Sequence, residues 1–254
     1  MKEIKELLEE KYLQYNNSTF IETDPICIPH RFSIKENIEI SAFLTATIAW
    51  GNRRSIIKNA HTLMALLDND PYAYLVGANE RDFQVLKTYC HRTFCGIDAI
   101  YFIKSLSNIY RHHGGLETIF SEEFKLKKDI KACLIRFREI FFELEYPERT
   151  RKHVSDVERG ASAKRLNMFL RWMVRKDEKG VDFGLWSGIS ASALYIPLDV
   201  HTGNVARELG LLKRKQNDWK SVDELTSVLR SFDASDPVKY DFALFGMGVF
   251  ERKY

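Results

Sequence analysis

The stretch Leu126-Lys-Lys-Asp-Ile130-Lys-Ala-Cys133-Leu134-Ile-Arg-Phe137-Arg-Glu-Ile-Phe141 decides the fold class. Its apolar residues Leu126, Ile130, Cys133, Leu134, Phe137 and Phe141 recur at steps of 4, 3, 1, 3 and 4. A half-buried strand alternates every second residue, whereas steps of three and four draw one stripe along a helix. Similar stripes run through Ile4, Leu7, Leu8 and Tyr12, and through 38–50, 97–110, 166–174, 222–229 and 238–249. No proline falls between Pro71 and Pro147. Ser221 with Glu224 reads as a capping box, and Asp236-Pro237 as an N-cap before an N1 proline. The spacing predicts an all-α chain of about ten helices with little or no sheet.

Composition narrows the class. The 254 residues are 45% apolar and 13% aromatic, which excludes a disordered chain. The longest apolar stretch, 40–50, is well short of the roughly 18 residues that span a bilayer. Residues 1–11 alternate charged and apolar positions, unlike a signal peptide. A cytoplasmic protein, of a bacterial cytosol or nucleoid, with no membrane contact is expected. Cys27, Cys90, Cys95 and Cys133 form no C-x-x-C and no His/Cys pair at zinc spacing, so free thiols are expected, with no metal and no cofactor. Dinucleotide, P-loop, zincin and hydrolase-elbow motifs are all missing from the sequence. Turn signals fall at Asn69-Asp70-Pro71, His113-Gly114-Gly115, Glu145-Tyr146-Pro147 and Tyr195-Ile196-Pro197, and 177–196 reads as a long structured loop.

Lys plus Arg number 38 against 35 Asp plus Glu, a net charge of only +3. The charge is unevenly spread. Between 149 and 176 lie nine basic residues and two acidic ones, so +3 splits into +7 here and −4 elsewhere. That density suits either several phosphate contacts to a nucleic acid or a solvated helix face.

Within this segment, in Arg159-Gly160-Ala-Ser162-Ala-Lys164-Arg165, Ser162 reads as an N-cap and Lys164 falls in the first helical turn. A cation there opposes the helix dipole. The same partial positive charge, with Arg159 and Arg165 nearby, favours a neutral, nucleophilic amine able to attack a sugar C1′. The plain alternative is an ordinary surface lysine. Asp199 follows Pro197-Leu198 and precedes an expected helix over 200–209, so it reads as an N-cap. A carboxylate held by amides suits the stabilisation of a developing positive sugar. Asp199 and His201 also make a candidate metal pair, for which no third ligand can be named.

Gly160-Ala-Ser-Ala-Lys164-Arg-Leu-Asn167 resembles the G-V-G-x-K-T-A-N segment of the helix-hairpin-helix (HhH-GPD) DNA glycosylases of the endonuclease III type. Pro197-Leu-Asp199-Val-His201 is similar to their V-D-x-H segment. Ile40-Ser-Ala-Phe-Leu-Thr-Ala resembles the early buried helix of that superfamily, 98–115 the helix ending in a His-x-Gly turn, and Phe242-Ala-Leu-Phe-Gly-Met-Gly the last helix. The resemblance runs over residues 35–250. It implies a two-lobed helical fold with the active-site cleft between lobes, approximately 35–175 as a central lobe with a degraded hairpin near 157–165, and 1–34 plus 176–254 as a terminal lobe.

For function, the resemblance implies base-excision DNA repair by a glycosylase with AP lyase activity. Lys164 would be the Schiff-base nucleophile and Asp199 the essential acid. The partner would be double-stranded DNA with a damaged base, bound by a monomer. Asn52, Arg53, Arg54, Arg159, Gly160, Ser162 and Arg165 are the candidate DNA-binding residues. Trp50, Trp186, His201 and Phe245 are the candidate pocket residues. Trp50 or Asn52 would fill the gap left by a flipped base.

Three departures stand out. The hairpin has no proline and a single glycine in Val157-Glu-Arg-Gly160-Ala-Ser162; no four-cysteine loop follows residue 250, so no iron–sulfur cluster is expected; and Lys164 and Asp199 lie 35 residues apart. That wide gap resembles the archaeal 8-oxoguanine glycosylases and points to an oxidised purine. The whole chain is also similar to an uncharacterised bacterial family of this size. A noncatalytic nucleic-acid binder on the same scaffold, and a helical metal-dependent hydrolase using Asp199 and His201, are the alternatives.

Overall fold

The computed structural model describes residues 1–251. Twelve α-helices occur among them: α1 (Lys2–Tyr15), α2 (Ser18–Thr23), α3 (Lys35–Thr47), α4 (Arg53–Leu66), α5 (Pro71–Gly77), α6 (Gly96–His112), α7 (Leu116–Lys127), α8 (Ile130–Phe141), α9 (Lys164–Val174), α10 (Val200–Glu208), α11 (Trp219–Phe232) and α12 (Tyr240–Gly246). The described sheet is one antiparallel ladder of two-residue strands, Cys90–His91 against Phe94–Cys95. The chain is all-helical, as its spacing predicts. Among the described residues, no helix is long and apolar enough to cross a membrane. All four cysteines are free thiols.

The chain separates into two compact units, Ile21–Ser155 and Met1–Phe20 with Asp156–Tyr254. The boundary falls at 155, whereas the resemblance placed it at 175. Segment 156–175, with the hairpin and α9, thus groups with the two ends of the chain.

In the first unit, the deciding stripe forms two helices rather than one. Lys128 turns left-handed (φ 52°) to end α7, and Asp129 caps α8 by accepting from the amides of Lys131 and Ala132 at 3.0 and 3.3 Å. Leu126 therefore belongs to the last turn of α7 and is 75% exposed, while Ile130, Cys133, Leu134, Phe137 and Phe141 are buried as spaced. Their core partners are aromatic: Phe43 of α3 lies 5.4 Å from Phe137, and Phe102 of α6 lies 4.7 Å from Phe141. Tyr101 and Ser105 of α6 both donate to the carbonyl of Phe141 at 2.7 Å, satisfying an orphan acceptor at the end of α8. α3 is buried on nearly every face, so the buried Glu39 must be paired; it accepts from the Tyr110 hydroxyl at 2.7 Å.

In the second unit, Leu8 of α1 joins Val205, Ala206, Val222, Leu225, Leu229, Ala243 and Leu244 in one apolar core. Two caps differ from those read in the sequence. Asp218, not Ser221, caps α11 and accepts from the Ser221 amide at 3.0 Å; Glu224 instead accepts from the Lys213 amide at 2.7 Å. Asp236 precedes Pro237 at a 3₁₀ turn, but its side chain accepts from Arg175 Nε at 2.8 Å rather than capping. In each case a stronger partner, a neighbouring acid or a guanidinium, takes the role that local spacing assigned. The loop 177–196 is ordered by its backbone: the amides of Phe183 and Trp186 donate to the carbonyls of Trp172 and Met173 at 2.8 and 2.9 Å, closing the end of α9.

Candidate functional site

The site is built at the start of two helices of the second unit. The turn before α9 is fastened at several points. The Arg159 amide donates to Asp156 Oδ1 at 3.2 Å and the Ala161 amide to the Asp156 carbonyl at 3.0 Å. Gly160 adopts φ 86°, a conformation that favours glycine, and its carbonyl accepts from the Trp219 amide at 2.9 Å. Ala161 also bridges to Asp218. The turn is thus tied to the start of α11. Ser162 does not cap α9, contrary to its reading in the sequence. The N-cap is Ala163, buried and left-handed at φ 50°, and the Asn167 side chain donates to the Ser162 carbonyl at 3.2 Å to hold the turn. A left-handed alanine costs about 1–2 kcal/mol. Burial of its methyl group and the Asn167 hydrogen bond offset that cost.

Lys164 is therefore the first residue of α9 and Asp199 caps α10. Thirty-five residues apart in the chain, they meet: Lys164 Nζ lies 3.9 Å from Asp199 Oδ2. The two carboxylate oxygens divide the work. Oδ1 accepts from the Thr202 amide at 2.9 Å and fixes the carboxylate as a cap, which leaves Oδ2 for the lysine. Asn217 donates to the Asp199 carbonyl at 3.1 Å, and the ammonium also reaches Met168 Sδ at 3.6 Å. The lysine side chain is 23% exposed and the aspartate 22%, so the pair is fixed yet open to a ligand. Two buried polar atoms one turn away, Asn167 Oδ1 and Thr202 Oγ1, have no hydrogen-bond partner.

Behind the pair, the same face of α9 continues through Arg171 and Arg175. Arg171 pairs with Asp182 at 3.2 Å and with Asp241. Arg175 pairs with Asp177 at 2.8 Å, Asp182 at 3.1 Å and Asp236 at 2.8 Å, and donates to the Tyr12 hydroxyl at 2.8 Å. Burial pushes the Asp241 carboxyl up to about 7; Arg171 and Lys164 oppose the rise, and Asp199 and Asp182 add to it. Arg171, Asp182 and Asp241 went unnoticed in the sequence. Their signal is composition: Arg171 interrupts Leu166–Val174, and Asp241 sits alone among apolar residues of the last helix. A lone charge in an apolar run is a buried charge with a partner elsewhere.

The +7 segment does not form one basic surface. Residues 149, 151 and 152 belong to the other unit. Arg171 and Arg175 are buried in ion pairs. What the second unit exposes is Arg159, at 80%, and Lys176, with Lys164 and Arg165 part-buried. Burial lowers the Arg165 guanidinium to about 10, still far above neutrality.

The remaining candidates are dispersed. Asn52 caps α4 by accepting from the Ser55 amide at 3.2 Å, and Arg53 and Arg54 occupy its first turn, all in the first unit. Trp50, also there, stands edge-on to His91 at 5.0 Å and stacks near His153 at 6.0 Å. Trp186 is fully buried and edge-on to Phe169 at 5.4 Å, so it belongs to the core rather than to a pocket wall. Phe245 is part-buried, 6.5 Å from Phe20. His201 is part-buried beside Gly248, where an added Cβ would come within 3.0 Å of it. Among the described residues, no three His, Cys, Asp or Glu side chains converge as metal ligands would.

Fold and site together define an all-helical protein with a lysine–aspartate pair held between two helix starts. The chain belongs to the family described as protein of unknown function DUF2400, which matches over residues 24–250. No curated protein and no solved structure matched the chain.

Proposed function

We propose that this chain is a base-excision DNA glycosylase with AP lyase activity, built on a helix-hairpin-helix arrangement and acting on an oxidised purine-like base in duplex DNA. The observation that carries this reading is the 3.9 Å approach of Lys164 Nζ to Asp199 Oδ2, at a lysine that opens one helix and an aspartate that caps another. A cation at a helix N-terminus is unfavourable for stability and favourable for a nucleophilic amine. The 35-residue separation favours an oxidised purine.

The chemistry follows from the pair. The neutral amine of Lys164 gives its lone pair to C1′ as the bond from C1′ to the base breaks. The base leaves with that electron pair and takes a proton from solvent. The nitrogen loses a proton and the sugar ring opens at C1′–O4′, leaving a protonated imine opposite Asp199 Oδ2. Removal of a C2′ proton expels the 3′ phosphate by β-elimination, and water then hydrolyses the imine and returns the lysine. Asp199 stabilises the positive sugar and its imine, a role for which its cap hydrogen bond has already fixed its orientation.

Borohydride reduction in the presence of a panel of lesion-bearing duplexes tests this directly. A covalent protein–DNA complex is expected with an oxidised purine and is lost in Lys164→Gln. No complex across the panel overturns the reading. Salt-sensitive duplex binding that persists in Lys164→Gln without trapping would make the chain a noncatalytic binder instead.

A further inference from the structure

The Lys164–Asp199 pair has a third member that the proposed chemistry does not use. Asp241 lies on α12, buried, and its one close cationic partner named above is Arg171, two turns beyond Lys164 on the same face of α9. Seven residues at about 1.5 Å each set the two cations of α9 roughly 10 Å apart along the axis. The groups facing Asp241 come from every neighbouring element. α9 contributes Arg171 and Lys164, the start of α10 contributes Asp199, and the 177–196 loop contributes Asp182. α1, packed along α12, brings Glu9 to the hydroxyl of Tyr240 at 2.6 Å and Tyr12 to within 6.3 Å of the Phe242 ring. Arg171 also stands over the Phe242 ring at 4.3 Å. Asp241 is thus tied to the structural ion pairs through Arg171 and Asp182, and to the open site through the fields of Lys164 and Asp199.

We propose that Asp241 is a positioning residue for the chemistry at Lys164, setting the charge balance behind the lysine–aspartate pair and so the readiness of the amine to shed its proton. The inference rests on Lys164 acting as a nucleophile. When Asp241 is ionised, the ammonium of Lys164 faces a second negative charge and holds its proton. When Asp241 is protonated, only Asp199 opposes the ammonium, and the neutral amine is more accessible. Burial pushes Asp241 up to about 7, so this change of state falls near neutral pH. The coupling is reciprocal: whatever Asp241 does to Lys164, Lys164 does to Asp241.

Reciprocity supplies a test that needs no activity. In protein with ¹³C-labelled carboxyl groups, the resonance lost in Asp241→Asn identifies Asp241, and its titration is followed in the wild type, Lys164→Gln and Asp199→Asn. Removing the cation raises the Asp241 midpoint; removing the anion lowers it. A one-charge change across roughly 10 Å at an effective dielectric constant of about 20 corresponds to about one pH unit. Both substitutions fall on part-exposed side chains, and asparagine still caps a helix, so both variants keep the fold. Shifts of opposite sign support the inference. A midpoint unmoved by either substitution overturns it, as does movement in the same direction in both.

Folded Asp241→Asn adds the kinetic arm. The acid limb of the borohydride-trapping rate moves to lower pH by up to about one unit, whereas a purely structural role would change amplitude and leave the limb in place. Opposite-sign NMR shifts without any trapping would remove the proposed function and leave the charge coupling standing. Trapping with unmoved NMR midpoints would do the reverse.

Discussion

The two ends of one face of α9 carry the same chemistry to opposite purposes. At the C-terminal end, the Arg175 side chain is 1% exposed and is met by three carboxylates and a phenol, all at 3.1 Å or less. At the N-terminal end, Lys164 keeps a fifth of its surface and meets one carboxylate oxygen at 3.9 Å. A buried charge must be fully satisfied or it destabilises the fold, so the Arg175 cluster is closed to anything new. A part-exposed pair contributes little to stability and can exchange its partner for a ligand. The difference separates the part of the charge pattern that folds the protein from the part that is left to act.

The comparison breaks most visibly at Lys164. Lys164→Gln is expected to abolish borohydride trapping, a loss of at least about 100-fold, while changing stability by no more than about 1 kcal/mol in urea. A large loss of stability would mean that Lys164 is structural like Arg175. Arg175→Met should behave in the opposite way. Taking the guanidinium from Asp177, Asp182 and Asp236 leaves buried carboxylates uncompensated and is expected to cost about 3–5 kcal/mol. A cost under about 1 kcal/mol would show the closed end to be no more committed to folding than the open one.

How far this division could be read from the sequence depends on range. Periods of three and four located the helices because each helix buries one face, a local property. The caps were less legible, since Asp218 and Asp236 answer to Ser221 and Arg175 through three-dimensional neighbours. Lys164 and Asp199 each drew attention by a local oddity, a cation and a cap at helix starts. Their meeting at 3.9 Å across 35 residues lies beyond any spacing rule. The +7 segment misled for a related reason. Net charge counts Arg171 and Arg175 as if exposed, although Asp182, Asp236 and Asp241, distant in sequence, have already neutralised them.

A pH titration sharpens the contrast at smaller scale. Burial alone would raise Asp177, but Arg175, the Asn16 amide at 2.6 Å, the Lys179 amide and the Tyr12 hydroxyl hold it down to about 2, against an ordinary value of 3.8. A depressed carboxylate contributes stability that is present above the unfolded value and lost as pH falls through the folded one. The closed end should therefore weaken between about pH 4 and pH 2, by about 1 kcal/mol once solvent screening at this part-exposed group is allowed for. Asp177→Asn should remove that portion of the acid transition, measured by urea unfolding across the pH range. An unchanged acid transition would place the sensitivity elsewhere.

The smallest effect expected is on nucleic-acid affinity, and it distinguishes exposed from spent charge. Each phosphate contact made by a cation releases counterions, and its removal lowers the slope of log K against log salt by roughly 0.9. Arg159, at 80% exposure, is free to make such a contact beyond its loose 3.7 Å approach to Asp156. Arg171 and Arg175 are not, because their charges are held by buried carboxylates. Arg159→Gln should therefore reduce the salt slope of duplex binding by about one contact. Arg171→Lys, which keeps the charge but disturbs the buried pairing, should leave the slope unchanged in folded protein. Equal slopes for Arg159→Gln and wild type would remove this turn from the DNA-binding surface, while a lower slope in Arg171→Lys would show that the buried end of α9 also reaches the phosphates.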